Sequence, residues 1–87
     1  MIGPAPTAAQ IRAARQLLGW KQTDLAAASG LRLIVIKNVE RGALDDPRVS
    51  IITAIENAFD KAGVVFLDTG QNHGEGPGVR FKGPPPA

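Results

Sequence analysis

Cysteine is absent from this chain of 87 residues, and His73 is its only histidine. The absence of cysteine excludes a disulfide framework and thiolate chemistry, and it is typical of proteins in a reducing cytoplasm. His73 has neither a cysteine nor a carboxylate cluster near it, so we expect a loop residue rather than a metal ligand or a triad member. Residues 74–78, Gly-Glu-Gly-Pro-Gly, lack the GxGxxG spacing of a phosphate-binding loop. We therefore predict a protein that is not an enzyme and binds no cofactor.

Long apolar runs are also absent. No stretch approaches the roughly 20 residues that a membrane-spanning helix requires. Residues 1–6 lack the basic start and the apolar run of a signal peptide. We expect a cytoplasmic protein without a membrane partner, and no pattern indicates a small-molecule ligand.

Charge of either sign is modest. The formal net charge is +2, and hydrophobic residues make up 44% of the chain, which favours one folded domain with a small core. Residues 10–48 hold seven basic and four acidic side chains. This excess is weaker than we expect of a tight duplex binder, in which several cations each meet a phosphate. Charge therefore neither requires nor excludes nucleic acid.

Apolar residues recur at helical spacing in four segments. Thr7 and Gln10 have the spacing of a capping box at the start of the first helix. In the third segment Ile36 and Val39 lie three residues apart and are expected to face inward. Ser50 is placed to cap the fourth helix. The predicted helices span residues 8–18, 22–29, 32–41 and 51–62.

The C-terminal part of the chain changes to strand character. Residues 64–67 are β-branched and aromatic, and residues 79–82 alternate apolar with basic side chains, so the two segments predict a β-hairpin with a long, glycine-rich connection. An isolated hairpin is marginal, so we expect it to pack on the helices or to extend a partner's sheet. The predicted organisation is a flexible N-terminus at residues 1–6, a single domain at 7–82 and a disordered tail at 83–87.

Residues 10–62 resemble the Xre family, the Cro/C1-type helix-turn-helix regulators. The passage Leu-Gly-Trp-Lys-Gln at residues 18–22 is similar to the family's entry into its second helix, and Ile-Lys-Asn-Val-Glu-Arg-Gly at residues 36–42 to the end of its third. The resemblance implies a mainly α fold, a lambda-repressor-like domain of four to five helices, here followed by the hairpin. It also implies a structural ion pair between Arg15 and Glu40.

The family resemblance further implies that the early residues of the third helix enter the major groove of DNA. Base edges are read by hydrogen-bonding side chains, yet Leu33 and Ile34 offer only methyl contacts. We expect these two to be exposed and Val35 to be half-buried; the alternative is that one or two of the three belong to the core. An exposed apolar patch typically marks an interaction site. The predicted protein-binding residues are Leu31, Leu33, Ile34, Val35, Lys37, Asn38 and Arg41.

A narrower resemblance agrees with protein binding. The length, the apolar third helix and the segment Gly-Pro-Gly-Val-Arg-Phe at residues 76–81 are similar to QseM-type antiactivators of rhizobial integrative and conjugative elements. This resemblance implies a regulator that binds and silences transcriptional activators, namely a quorum-sensing activator of the TraR type and an excision activator of the FseA type.

Two other functions stay open. One is a sequence-specific DNA-binding repressor, a dimer on a palindrome, with DNA contacts from Gln22, Arg32, Lys37, Asn38 and Arg41. Gln22 would then lie near a phosphate, whereas its structural interpretation is a helix-start residue that suits the fold. The other function is an antitoxin-like partner of a toxin. The hairpin strands pair either within one chain or across a dimer.

Overall fold

The computed structural model describes residues 5–42, 48–68 and 76–83. Its elements are the helices α1 (Ala8–Leu18), α2 (Gln22–Ser29), α3 (Leu33–Glu40) and α4 (Val49–Lys61) and the strands β1 (Val64–Leu67) and β2 (Gly78–Phe81). The predicted fold class, a mainly α domain with a C-terminal hairpin, is confirmed. The predictions for His73, for the connection at residues 69–75 and for residues 1–4 and 84–87 lie outside the described residues. In the described part of the chain, no helix is long and apolar enough to cross a membrane.

Both ends of α1 follow from the local sequence. The Thr7 hydroxyl accepts a hydrogen bond from the Gln10 amide at 3.1 Å, and the Gln10 side-chain oxygen accepts one from the Thr7 amide at 2.8 Å. The predicted capping box is therefore confirmed. Gly19 ends the helix at a φ of 70°, in the left-handed region that glycine adopts without strain. The sequence prediction assigns Pro6 to the flexible N-terminus, but this residue is buried. Its apolar ring is removed from water, so Pro6 belongs to the packed domain.

Backbone hydrogen bonds decide where α3 and α4 begin. α3 is one residue shorter at each end than predicted, because the residues at both predicted ends act as caps. α4 begins at Val49, so Ser50 lies inside the helix and its predicted role as the cap is wrong. The carbonyl of Arg48 accepts the amides of residues 51 and 52 at 2.9 and 3.2 Å. The first turn of α4 thus closes through the backbone, and no side chain caps it.

The core lies where the four helices meet. Its largest fully buried side chains are Phe59, Ile11, Leu25, Ile36 and Ile55. Phe59 stacks on Trp20 with ring centroids 5.6 Å apart and meets Phe66 edge to face at 5.5 Å. This aromatic row joins α4 to the segment before α2 and to strand β1. Helices and hairpin therefore share one core.

The hairpin forms within the chain and packs on α1 and α4. Its strands are antiparallel, with Val64 opposite Phe81 and Leu67 opposite Gly78, and β2 lies one residue earlier than predicted. The side-chain amide of Gln10, a residue only 7% exposed, donates to the carbonyl oxygens of Leu67 and Gly78 at 2.9 and 3.0 Å. The N–H donors of this buried amide need partners, and the two carbonyl oxygens supply them. Gln10 of α1 thus holds the end of the hairpin at which β1 runs into the connecting loop.

Candidate functional site

Helix α3 carries most of the side chains that the sequence places in the candidate site, and a tight turn sets its position. Gly30 ends α2 at a φ of 75°, and Arg32 is the N-cap of α3. α3 packs against both α2 and α1. Ile36, Val39 and Glu40 are buried. The arrangement is a helix-turn-helix in which α3 has a covered inner face and an exposed outer face.

An ion pair fixes the inner face of α3 to α1. Nε and Nη2 of Arg15 donate to Oε2 and Oε1 of Glu40 at 2.6 and 2.8 Å. The two side chains are 12% and 3% exposed, respectively. Arg15 also donates to the carbonyl of Trp20 at 3.0 Å. Because a buried carboxylate without a partner is strongly unfavourable, this two-point pair holds the orientation of α3.

Two further side chains converge on Glu40. Gln22 is half-buried and donates its side-chain amide to Oε1 of Glu40 at 3.2 Å. Arg12 donates to the main-chain carbonyl of Glu40, at the C-terminal end of α3, where carbonyls lack helical partners and a cation favours the helix dipole. Sequence reasoning missed Arg12; the available signal is its spacing of three residues from Arg15, which puts both on one side of α1. The contact of Gln22 directs its amide group toward the fold.

The opposite side of α3 combines an apolar side chain with cations. Ile34 is 53% exposed, and Lys37 and Arg41 are exposed as well. Asn38 is half-buried, and its Oδ1 accepts a hydrogen bond from Nη2 of Arg41 at 2.7 Å. Spacings of three and four residues put these side chains on one side of the helix. We call Ile34, Lys37, Asn38 and Arg41 the α3 outer face.

The apolar part of this surface is smaller than the sequence suggests. Leu33 is half-buried, so its predicted exposure is wrong, and Leu31 and Val35 are partly buried against the core. Each helical residue turns by about 100°, which leaves Val35 near the edge of the face that Ile36 buries. Ile34 is therefore the apolar centre of the α3 outer face.

Charge is unevenly distributed around α3. Glu40, the single acid of this helix, is buried in its ion pair, and Asp24 of α2 caps the start of its own helix. Arg32, Lys37 and Arg41 are all exposed. The outward charges of α3 and its two caps are therefore all positive, which favours an anionic partner.

A different surface, on α4 and β1, is acidic. A groove of about 280 Å³ is lined by Thr53, Glu56, Asn57, Asp60, Val64 and Phe66. Asp60 pairs with Lys82 at 2.6 Å, but both side chains are largely solvated, so the pair adds little stability. Sequence reasoning missed this groove, whose walls come from two elements. Within the described ranges, no three histidine, aspartate or glutamate side chains group as metal ligands.

Comparison with known families agrees with this geometry. A helix-turn-helix family model matches residues 11–65, more than half of the chain. The chain belongs to the Xre-type helix-turn-helix family. Members of this family are regulatory DNA-binding proteins rather than enzymes, and the chain is accordingly a helix-turn-helix regulator. No curated protein matches it.

The matched region of this Xre-type regulator runs from α1 into β1. Its α2 and α3 are the two helices of the helix-turn-helix, and α3 occupies the place of the recognition helix. The α3 outer face is therefore the candidate functional site. Arg12, Arg15 and Glu40 hold that face in position from the opposite side of the helix.

Proposed function

We propose that this regulator is an antiactivator, in which the α3 outer face binds a transcriptional activator and masks the surface that the activator uses for DNA binding or dimerisation. One observation carries the proposal: Ile34 is 53% exposed at the second position of the recognition helix. Side chains that read bases through hydrogen bonds are expected at such a position. A protein partner would remove this apolar surface from water.

Burial of the side chain supplies the physical argument. Complete burial of a fully exposed isoleucine side chain contributes about 1.5–3 kcal/mol; because Ile34 is 53% exposed, a partner that covers it gains about half of that. Leu33, the preceding residue of α3, is half-buried, so part of its side chain also remains exposed. Lys37, Asn38 and Arg41 provide a polar rim, and a desolvated centre with a polar rim is the usual anatomy of a protein interface. The resemblance of the chain to QseM-type antiactivators suggests activators of the TraR and FseA types as partners.

Sequence-specific DNA binding is the second candidate. Family membership favours it, and so do the exposed cations Arg32, Lys37 and Arg41. Two other residues expected to contact DNA hold contacts within the chain: Gln22 donates to Glu40, and Asn38 accepts from Arg41. These contacts reduce the hydrogen-bonding groups available for base edges and phosphates, and they favour the antiactivator.

Inhibition of an activator-dependent reporter tests the proposal. The protein is co-expressed with a TraR-type or FseA-type activator, and Ile34→Asp is compared with Val49→Asp, a matched control because Val49 is 81% exposed on α4. We expect Ile34→Asp to relieve inhibition and Val49→Asp to retain it. Full inhibition by Ile34→Asp would contradict the proposal.

A binding titration against genomic DNA fragments tests the second candidate. A repressor would show a specific complex that weakens steeply with salt and is lost in Lys37→Ala and Arg41→Ala. We expect weak association that is indifferent to sequence. A specific, salt-sensitive complex would favour the DNA-binding repressor instead.

A further inference from the structure

The charges around Ile34 indicate the chemistry of the partner. Ile34 and Arg41, the C-cap of α3, lie seven residues apart, a distance of about 10 Å along the helix axis. Lys37 lies between them, and both cations are exposed. A partner that covers Ile34 therefore meets two positive charges within two helical turns of its apolar contact.

The acidic side chains of α2 and α3 do not neutralise Lys37 and Arg41. Glu40 is bound by Arg15 with both carboxylate oxygens, on the opposite side of α3. The carboxylate of Asp24 accepts from the amide of Lys21 at 2.8 Å. Since both carboxylates are used within the fold, no acidic side chain of α2 or α3 pairs with the cations of the α3 outer face.

The geometry of Arg41 suits a carboxylate or a phosphate group. Its Nη2 donates to Oδ1 of Asn38 at 2.7 Å, which restrains the guanidinium plane. A guanidinium has five N–H donors in a rigid fork and binds carboxylates or phosphates at two points. A phosphate backbone would satisfy the cations, but in a DNA duplex only thymine methyl groups could cover Ile34. An acidic protein segment with an apolar face can satisfy both the cations and Ile34.

We infer that the α3 outer face binds an acidic amphipathic segment of its partner, with an apolar side chain on Ile34 and carboxylates on Lys37 and Arg41. The inference rests on the proposed function and adds the chemical class of the partner. Charge complementarity of this kind sets specificity and association rate more than affinity. Changing the cations would therefore alter which partners bind.

Amide shifts of the isotope-labelled full chain test this inference. Two synthetic amphipathic helical peptides share a leucine face, and one carries glutamate where the other carries lysine. At low ionic strength we expect the acidic peptide to shift the amides of residues 33–41 and to bind about tenfold more tightly than the basic one, since exposed charge pairs contribute modestly. Equal binding of the two peptides would overturn the inference.

Charge reversal provides the sharper test. The double variant Lys37→Glu with Arg41→Glu should reverse the preference between the peptides. The double variant Lys61→Glu with Arg80→Glu, which changes the net charge by the same amount at exposed residues outside α3, should leave the preference intact. An unchanged preference in the double variant would overturn the inference, and so would a DNA duplex that shifts the same amides at lower concentration than the acidic peptide.

The result can be separated from that of the reporter assay. If Ile34→Asp relieves inhibition while the double reversal leaves the peptide preference unchanged, the antiactivator proposal stands and the acidic partner is wrong. If Ile34→Asp retains full inhibition, the antiactivator proposal fails whatever the peptides do. Shifts of residues 56–66 alone would place the peptide on the groove of α4 and β1 and would also overturn the inference.

Discussion

The inner and outer faces of α3 handle charge in opposite ways. On the inner face Glu40 is 2% exposed and meets Arg15 at two points, with Ile36 and Val39 buried beside it. On the outer face Ile34 is in contact with water, and Lys37 and Arg41 are exposed. The helix and its C-cap Arg41 thus have one side that holds the helix in the fold and one side that is available to a partner. Changes on the inner face should reduce stability, whereas changes on the outer face should alter binding alone.

Removal of the Glu40 carboxylate is expected to lower the free energy of unfolding more than any other change considered. Glu40→Ala leaves Arg15 without its carboxylate in a site that is 12% exposed, so we expect the free energy of unfolding to fall by about 3–5 kcal/mol in a urea titration. The combined change Arg15→Met with Glu40→Leu removes both charges and should recover much of this loss. A loss below about 1 kcal/mol in Glu40→Ala, the level of an exposed pair, would show that the ion pair does not hold α3.

A pair of isoleucines compares the two faces directly. Ile36 is fully buried and Ile34 is 53% exposed, yet they lie two positions apart on the same helix. We expect Ile36→Ala to lower the unfolding free energy by about 2–5 kcal/mol and Ile34→Ala to change it by about 0.5 kcal/mol or less. Thermal and urea unfolding of the two variants measure the difference. Similar losses in both would mean that Ile34 is packed.

A smaller loss of unfolding free energy is expected from a change at Gln10, where α1 contacts the hairpin. Gln10→Ala removes the amide that bonds to Leu67 and Gly78 as well as the oxygen that accepts from Thr7. The expected loss is about 1–2 kcal/mol, with faster hydrogen exchange of the β1 and β2 amides than of those in α3. Uniform acceleration over the whole chain would instead indicate that hairpin and helices open together.

Locally determined features could be predicted from the sequence. Thr7 and Gln10 form their capping box and Gly19 ends α1, because both signals act over a few residues. The prediction from the same kind of signal is wrong at Ser50, because the carbonyl of Arg48 closes the first turn of α4 and no side chain caps it. The partners Arg15 and Glu40 lie far apart in the chain, and only family resemblance pointed to their pairing.

In the candidate site too, some features could be predicted from the sequence and others depend on packing. The apolar start of α3 and the cations after it are visible in the sequence. Burial is different, because it depends on neighbouring elements: Leu33 is half-buried and Ile34 is exposed, although both are large and apolar. The hydrogen bonds of Arg12 to Glu40 and of Gln10 to the hairpin likewise join α1 to elements far away in the chain, and the spacing within α1 indicates only which side of the helix each residue occupies.

Sequence alone determined the four helices, the hairpin and the presence of isoleucine and cations on the recognition helix, because periodicity, glycine stops and residue chemistry act locally. Tertiary structure decided which of the apolar residues faces water and where each charge is used. Packing of α1 and α2 against α3 turns Glu40 inward to Arg15 and leaves Ile34, Lys37 and Arg41 outward. The physical reason is that a buried carboxylate requires a partner, and only the packed helices bring that partner to it.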